Sequence, residues 1–197
     1  MKVTIPYAPR PLQRQLHDNT AHFAVYVCHR HFGKTVFAIN KLIKAACLNQ
    51  LQAPRYAYIA PLYRQAQQVT WDYLKLYTAA LPETKVNESE LRVDLINGAR
   101  ISLYGADNLD ALRGIYVDGV ILDEYAQMSP RVWSEVIRPT LTDREGFAVF
   151  IGTPRGHNPF YDLYQQAKDH PNWTCALFKA LRRACYHNKS YKPQLKR

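Results

Sequence analysis

The sequence predicts an α/β fold: a mostly parallel sheet flanked by helices. Three observations lead there. Short apolar, β-prone runs alternate with longer segments of helical periodicity between Phe23 and Phe178, the pattern of strands joined by crossover helices. The run Cys28-His29-Arg30-His31-Phe32-Gly33-Lys34-Thr35 follows one such strand and opens one such helix, the setting of a phosphate-binding loop. Val120-Ile121-Leu122-Asp123-Glu124 is an apolar strand ending in two acids, and open parallel sheets bind ligands at the carboxyl ends of their strands.

Taken along the chain, Phe23-Ala24-Val25-Tyr26-Val27 is the first strand. Val36, Phe37, Ile39, Leu42, Ile43, Ala46 and Leu48 then recur at helical spacing and predict a helix over 34–49. A strand over 55–60 and a helix over 62–80 follow. Two alternating runs, 91–95 and 100–104, flank Asn97-Gly98, a strong hairpin signal; they break the rhythm and predict an antiparallel pair at one side of the sheet. Residues 119–122 form an unbroken apolar run, as expected of a parallel strand covered on both faces. A helix near 130–138, a strand at 147–151, a helix at 158–169 and a strand at 173–178 complete the pattern.

The residue types in the two motifs specify chemistry. In G-x-x-x-x-G-K-[ST], backbone N–H groups cradle phosphates, the Lys reaches the β- and γ-phosphates, and the hydroxyl holds Mg²⁺. Gly33, Lys34 and Thr35 fill the last three positions, while Cys28 stands where the first Gly belongs. The loop delivers an anion to a helix N-terminus. Asp123 can share the metal with Thr35, and Glu124 can polarise the attacking water. These residues predict binding and hydrolysis of a nucleoside triphosphate with magnesium.

Further segments resemble, in order, the large terminase subunits of tailed phages, the motors that package DNA into capsids. Tyr7-Ala8-Pro9-Arg10-Pro11-Leu12-Gln13 is similar to the family's adenine-recognition element, and Arg30-His31-Phe32-Gly33-Lys34-Thr35 to its Arg-rich variant of the phosphate loop. Ile59-Ala60-Pro61-Leu62-Tyr63-Arg64-Gln65-Ala66 resembles the segment after the second strand, Leu112-Arg113-Gly114 a recurrent element, and Phe150-Ile151-Gly152-Thr153-Pro154 the coupling motif that links hydrolysis to movement. The resemblance covers roughly residues 5–178. It implies a P-loop NTPase fold of the RecA/ASCE type, with ATP and Mg²⁺ as ligands. It further implies double-stranded DNA, a homo-oligomeric ring on a portal, and the small terminase subunit as partners.

It also implies roles by position. Gln13 reads the adenine edge. Arg30 neutralises the departing γ-phosphate in cis. Arg113 is either a finger acting across to a neighbouring subunit or a surface salt-bridge partner. Thr153 either senses the γ-phosphate or closes a turn with Pro154. His29 and His31, at i and i+2, read as loop residues and make no metal site by themselves.

Composition agrees and sets limits. With 197 residues, of which 47% are hydrophobic, the chain suits one globular domain with a sizeable core. No apolar stretch reaches membrane-spanning length and no secretory pattern opens the chain, so the expected location is the cytoplasm of a bacterial host. Cys28, Cys47, Cys175 and Cys185 lack metal-site spacing and read as free thiols. Cys28 is either a small residue tolerated in the turn or a thiol activated by an electropositive loop.

Residues 179–197 carry Lys179, Arg182, Arg183, Lys189, Lys192, Lys196 and Arg197 with no acid, which is +7 of the net +10. The expected organisation is an ATPase domain over 1–178 and a basic, irregular tail over 179–197 that either touches DNA phosphates or is simply solvated. A full terminase continues into a nuclease domain of the ribonuclease-H type, for which these residues supply no acid cluster. The expectation is therefore an ATPase half alone: an excised piece, a split or truncated prophage gene, or a frame-altered product. Two other readings stay open: a lobe of a helicase-like, nucleic-acid-dependent ATPase, and a non-catalytic remnant that binds nucleotide.

Overall fold

The computed structural model describes residues 3–19, 21–142 and 144–179. In chain order it comprises α1 (Pro11–Asp18), β1 (Phe23–Cys28), α2 (Lys34–Leu48), β2 (Arg55–Ala60) and α3 (Tyr63–Gln65), which runs through a π-helical turn (Ala66–Thr70) into α4 (Trp71–Thr78). Next come β3 (Lys85–Asn87), β4 (Arg92–Asp94), β5 (Arg100–Gly105), α5 (Leu109–Leu112) and β6 (Gly119–Asp123). A π-helical turn (Val132–Ile137) leads into α6 (Arg138–Thr142), followed by β7 (Phe147–Gly152), α7 (Pro159–Lys168) and β8 (Trp173–Phe178). Every predicted element is present within a few residues of its expected bounds. The structure adds α1, β3 and α5, which are too short to show periodicity. The basic tail beyond Lys179, and Cys185 within it, lie outside the described residues.

The eight strands form one sheet in the order β3-β4-β5-β2-β6-β7-β1-β8. From β5 to β8 all pairings are parallel; β3 and β4 add an antiparallel edge. The β4–β5 hairpin turns where Asn97-Gly98 predicts, but with Gly98 alone in the left-handed region (φ 79°). Gly98 N–H donates to Leu95 at 2.9 Å and Leu95 N–H to Ala99 at 2.8 Å, the pattern of a type I turn closed by a glycine bulge. Asn97 is spent elsewhere: its amide caps the carbonyl of Ala46 in α2 at 2.8 Å.

Both faces of the sheet are covered, which is why β6 is buried at all five positions. Alternation of side chains along each strand builds two cores. On one face Tyr26, Tyr58, Ile121 and Ile151 pack with Phe37, Leu42 and Ile43 of α2. On the other, Val25, Ile59, Leu122 and Phe150 pack with Trp133 and Phe160. Burying each such side chain contributes roughly 1.5–3 kcal/mol. The consequence for function is geometric. β7 lies between β1 and β6, so the loop after β1 and the acids after β6 face each other across the end of β7, where Thr153 sits.

Candidate phosphate and metal site

The loop after β1 is shaped by two left-handed residues, His31 (φ 64°) and Gly33 (φ 84°). Cys28 is the last residue of β1 and is not one of them, so its position needs no glycine. This explains how a Cys stands at the first motif position. The cysteine is fully buried and its pKa is pushed up to about 12, burial outweighing the nearby Lys34 ammonium. The activated-thiol reading of Cys28 is thereby corrected: desolvation disfavours the thiolate more than the loop's positive charge favours it.

Lys34 opens α2 and reaches across the sheet end. Its Nζ donates to Thr153 Oγ1 at 2.9 Å and pairs with Glu124 Oε1 at 3.1 Å. Thr153 closes the triangle, its hydroxyl donating to Glu124 Oε1 at 3.1 Å and its N–H to Oε2 at 3.3 Å. Glu124 is itself held in a left-handed conformation (φ 51°), at a cost of about 1–2 kcal/mol for a non-glycine residue. Its N–H donates to Asp123 Oδ1 at 2.9 Å, which steadies that geometry.

Beside this triangle, Thr35 Oγ1 donates to Asp123 Oδ2 at 3.3 Å and Tyr58 OH donates to the same oxygen at 2.5 Å. Asp123 is buried, and desolvation raises its pKa while the Tyr58 hydroxyl works against that rise. Tyr58 is likewise held well above its ordinary range by burial and by the Asp123 charge. Among the described residues no three His, Cys, Asp or Glu side chains gather to hold a metal. Asp123 and Thr35 would offer a cation here one carboxylate and one hydroxyl. That hard-oxygen, ligand-poor set fits Mg²⁺.

Lys34, Thr35, Tyr58, Asp123 and Glu124 line a cavity of about 460 Å³ whose wall also includes His31, Gly33, Gln65, Tyr73 and Gln127, with Thr153 behind it, bonded to Lys34 and Glu124. A second cleft of about 620 Å³ lies over β4 and β5; its Arg92 and Arg100 are already paired with Asp94.

The remaining predicted residues divide. Phe32 is buried and stacks on Phe178 of β8 at 5.0 Å between ring centroids, and His29 N–H donates to the Phe178 carbonyl at 3.1 Å. Both support the loop. Gln13 comes to the loop as well, but its amide is committed there: Nε2 donates to the carbonyls of Phe32 (3.0 Å) and Gly33 (3.3 Å), which leaves neither amide hydrogen for an adenine edge. Arg30 is exposed and does not line the cavity. Arg113 is exposed, paired with Asp110 at 2.8 Å, and does not line the cavity. Tyr58 and Arg10 escape the sequence reading. Tyr58 reads as one more strand residue until the strand order sets it beside Asp123, and Arg10 is one of many surface arginines until α1 docks.

Comparison with known proteins gives one family. The family described as "Terminase large subunit, T4likevirus-type, N-terminal" matches residues 26–197. The large terminase subunit of Thermus phage G20c is 31% identical over 177 residues, which span 80% of this chain and 36% of that one. The chain thus spans about a third of the length of the curated relatives it matches. The large terminase ATPase domain of Thermus phage P74-26 superposes with a TM-score of 0.75 at 27% identity, covering 88% of this chain and 82% of that domain. The large terminase of another thermophilic bacteriophage, in complex with ADP, has a TM-score of 0.69 at 15% identity over 87% of this chain and 46% of that one, a likeness of fold.

Proposed function

This chain belongs to the terminase large-subunit family, and from that membership we propose that its residues 1–178 hydrolyse Mg-ATP to drive double-stranded DNA into a capsid. The observation that carries the reading is the contact of Lys34 with both Glu124 and Thr153, beside the Thr35–Asp123 pair. A relative that is an ATPase domain and a fold neighbour that holds ADP support it.

In the proposed reaction Lys34 leaves Glu124 and Thr153 for the β- and γ-phosphate oxygens, a stronger charge partner than the single carboxylate. Thr35 and Asp123 would hold Mg²⁺, which would supply charge neutralisation at the phosphates. Glu124, relieved of Lys34, accepts a hydrogen bond from the attacking water and orients it in line. Thr153, bonded to Glu124 through both its N–H and its hydroxyl, reports whether the γ-phosphate is present and passes that state into the loop after β7. Arg30 completes the charge clamp by swinging in from its exposed position, or Arg113 does so by reaching a neighbouring copy in a ring. The ring, the portal, the small subunit and the host cytoplasm belong to the same proposal.

The test is Mg-ATP turnover against protein concentration, with and without double-stranded DNA, alongside nucleotide binding by wild type and Lys34→Ala. The expected result is a rate per chain that rises with concentration or DNA, and binding that Lys34→Ala abolishes. Wild-type affinity in Lys34→Ala removes the phosphate-loop assignment. A flat background rate with binding intact assigns the chain to a nucleotide-binding remnant.

A further inference from the structure

We propose that Arg10 and Gln13 are positioning residues of the phosphate loop, holding its backbone for any polyphosphate and reading no base. The proposal rests on the nucleotide-binding reading above and adds how the loop is shaped. Two loop carbonyls, those of His31 and Phe32, are drawn to α1, and a third, that of Gly33, also accepts the first helical bond of α2 from Phe37 N–H at 3.0 Å. Arg10 Nη1 donates to His31 O at 2.9 Å and, at greater length, to Phe32 O at 3.5 Å; Gln13 Nε2 donates to Phe32 O at 3.0 Å and Gly33 O at 3.3 Å.

In a trans peptide the carbonyl of one residue and the N–H of the next point in opposite directions. Holding the carbonyls of His31 and Phe32 toward α1 therefore turns the N–H groups of Phe32 and Gly33 the other way; of these, Phe32 N–H donates to His29 O at 3.4 Å within the loop, so the Gly33 N–H is the one presented outward. That is the orientation a phosphate cradle requires.

The direction of the Gln13 amide is forced. Its Oε1 accepts the backbone N–H of Arg10 at 3.0 Å, a group that can only donate. Its Nε2 faces carbonyls, which can only accept. The amide is also out of water, Gln13 being 3% exposed. Gly33 fits this contact closely: a Cβ there meets Gln13 Nε2 at 2.8 Å. α1 cannot drift from the loop, because Lys41 of α2 donates to the carbonyls of Leu16, His17 and Asn19 at its C-terminal end (3.3, 3.3 and 2.8 Å). These bonds tie α1 to the helix that the loop opens.

The experiment is calorimetric titration of wild type, Gln13→Met, Arg10→Ala and Arg10→Lys with Mg-ATP, Mg-GTP and Mg-tripolyphosphate, with a thermal midpoint for each protein. Loss of buried, doubly used hydrogen bonds predicts that Gln13→Met weakens all three ligands by the same factor, about tenfold. Arg10→Ala, at an exposed position, weakens all three by about threefold, and Arg10→Lys restores the affinity to within about twofold because one donor suffices. In turnover the defect falls on KM more than on kcat. A Gln13→Met loss confined to ATP, with tripolyphosphate binding unchanged, overturns the proposal and returns Gln13 to adenine reading. Failure of wild type to bind any of the three removes the nucleotide reading, and this proposal with it.

Discussion

Replacing Glu124 with Gln separates the two tasks the structure gives this residue, and its effects should run in opposite directions. Lys34 Nζ lies 3.1 Å from Glu124 Oε1, with side chains 11% and 27% exposed. At an effective dielectric constant of about 20 the gross attraction at that distance is about 5 kcal/mol. Desolvation of both ions and water at the more open Glu124 cancel most of it, leaving about 1–2 kcal/mol for a charged hydrogen bond of this kind. A phosphate that recruits Lys34 has to overcome this contact. Glu124→Gln keeps the side-chain shape and an acceptor for Thr153 while removing the charge, so Mg-ATP affinity should rise about tenfold. Hydrolysis should fall by about 100-fold or more, because Gln cannot take a proton from water. The assay is equilibrium titration of Mg-ATP and single-turnover hydrolysis at one protein concentration. Affinity unchanged within twofold refutes the competition for Lys34. Turnover within tenfold of wild type refutes the water-orienting role.

Other outcomes follow from neighbouring contacts. Tyr58→Phe removes the 2.5 Å bond to Asp123 and should raise the Mg²⁺ concentration needed for nucleotide binding about fivefold or more, read from Mg²⁺ titrations at fixed ATP. His17 donates or accepts at Tyr7, and burial lowers its pKa to about 4 from 6.5; between those values the unfolded chain binds the extra proton. Stability should therefore be lost as pH falls through that window, by about 2 kcal/mol from pH 7 to pH 5, and His17→Asn should flatten the slope in denaturant titrations. Cys28, buried with a pKa near 12, should stay unlabelled by a thiol reagent in the folded protein and react on denaturation, as peptide mapping will show.

Much of the fold is written in local patterns, and local patterns are what a sequence displays. Phe23–Val27 followed by Gly33-Lys34-Thr35 and then by apolar residues at helical spacing depends only on neighbours in the chain. So does the unbroken run from Val120 to Leu122 that ends in Asp123 and Glu124. Gly98 is legible for the same reason, since a residue without Cβ marks the left-handed position wherever it falls. The elements that could not be read are held from outside or by a cap: α1 by Lys41 of α2, β3 by pairing with β4, and α5 by Asn108, which accepts the N–H of Ala111 at 3.1 Å.

What the sequence determined by itself is the set of reactive groups and the strand or loop each one ends: a lysine and a hydroxyl opening a helix, two acids closing a strand. Which of them meet was decided by the order of strands. Inserting β7 between β1 and β6 brings Thr153 between Lys34 and Glu124, and pairing β2 with β6 sets Tyr58 against Asp123. Arg30, adjacent to the motif in sequence, is turned to solvent, whereas Arg10 and Gln13, some twenty residues upstream, hold the loop. The burial that raises the Cys28 pKa belongs to the same class. Proximity in sequence fixes a residue's backbone, while register, strand order and depth fix its electrostatics, and those are properties of the folded chain alone.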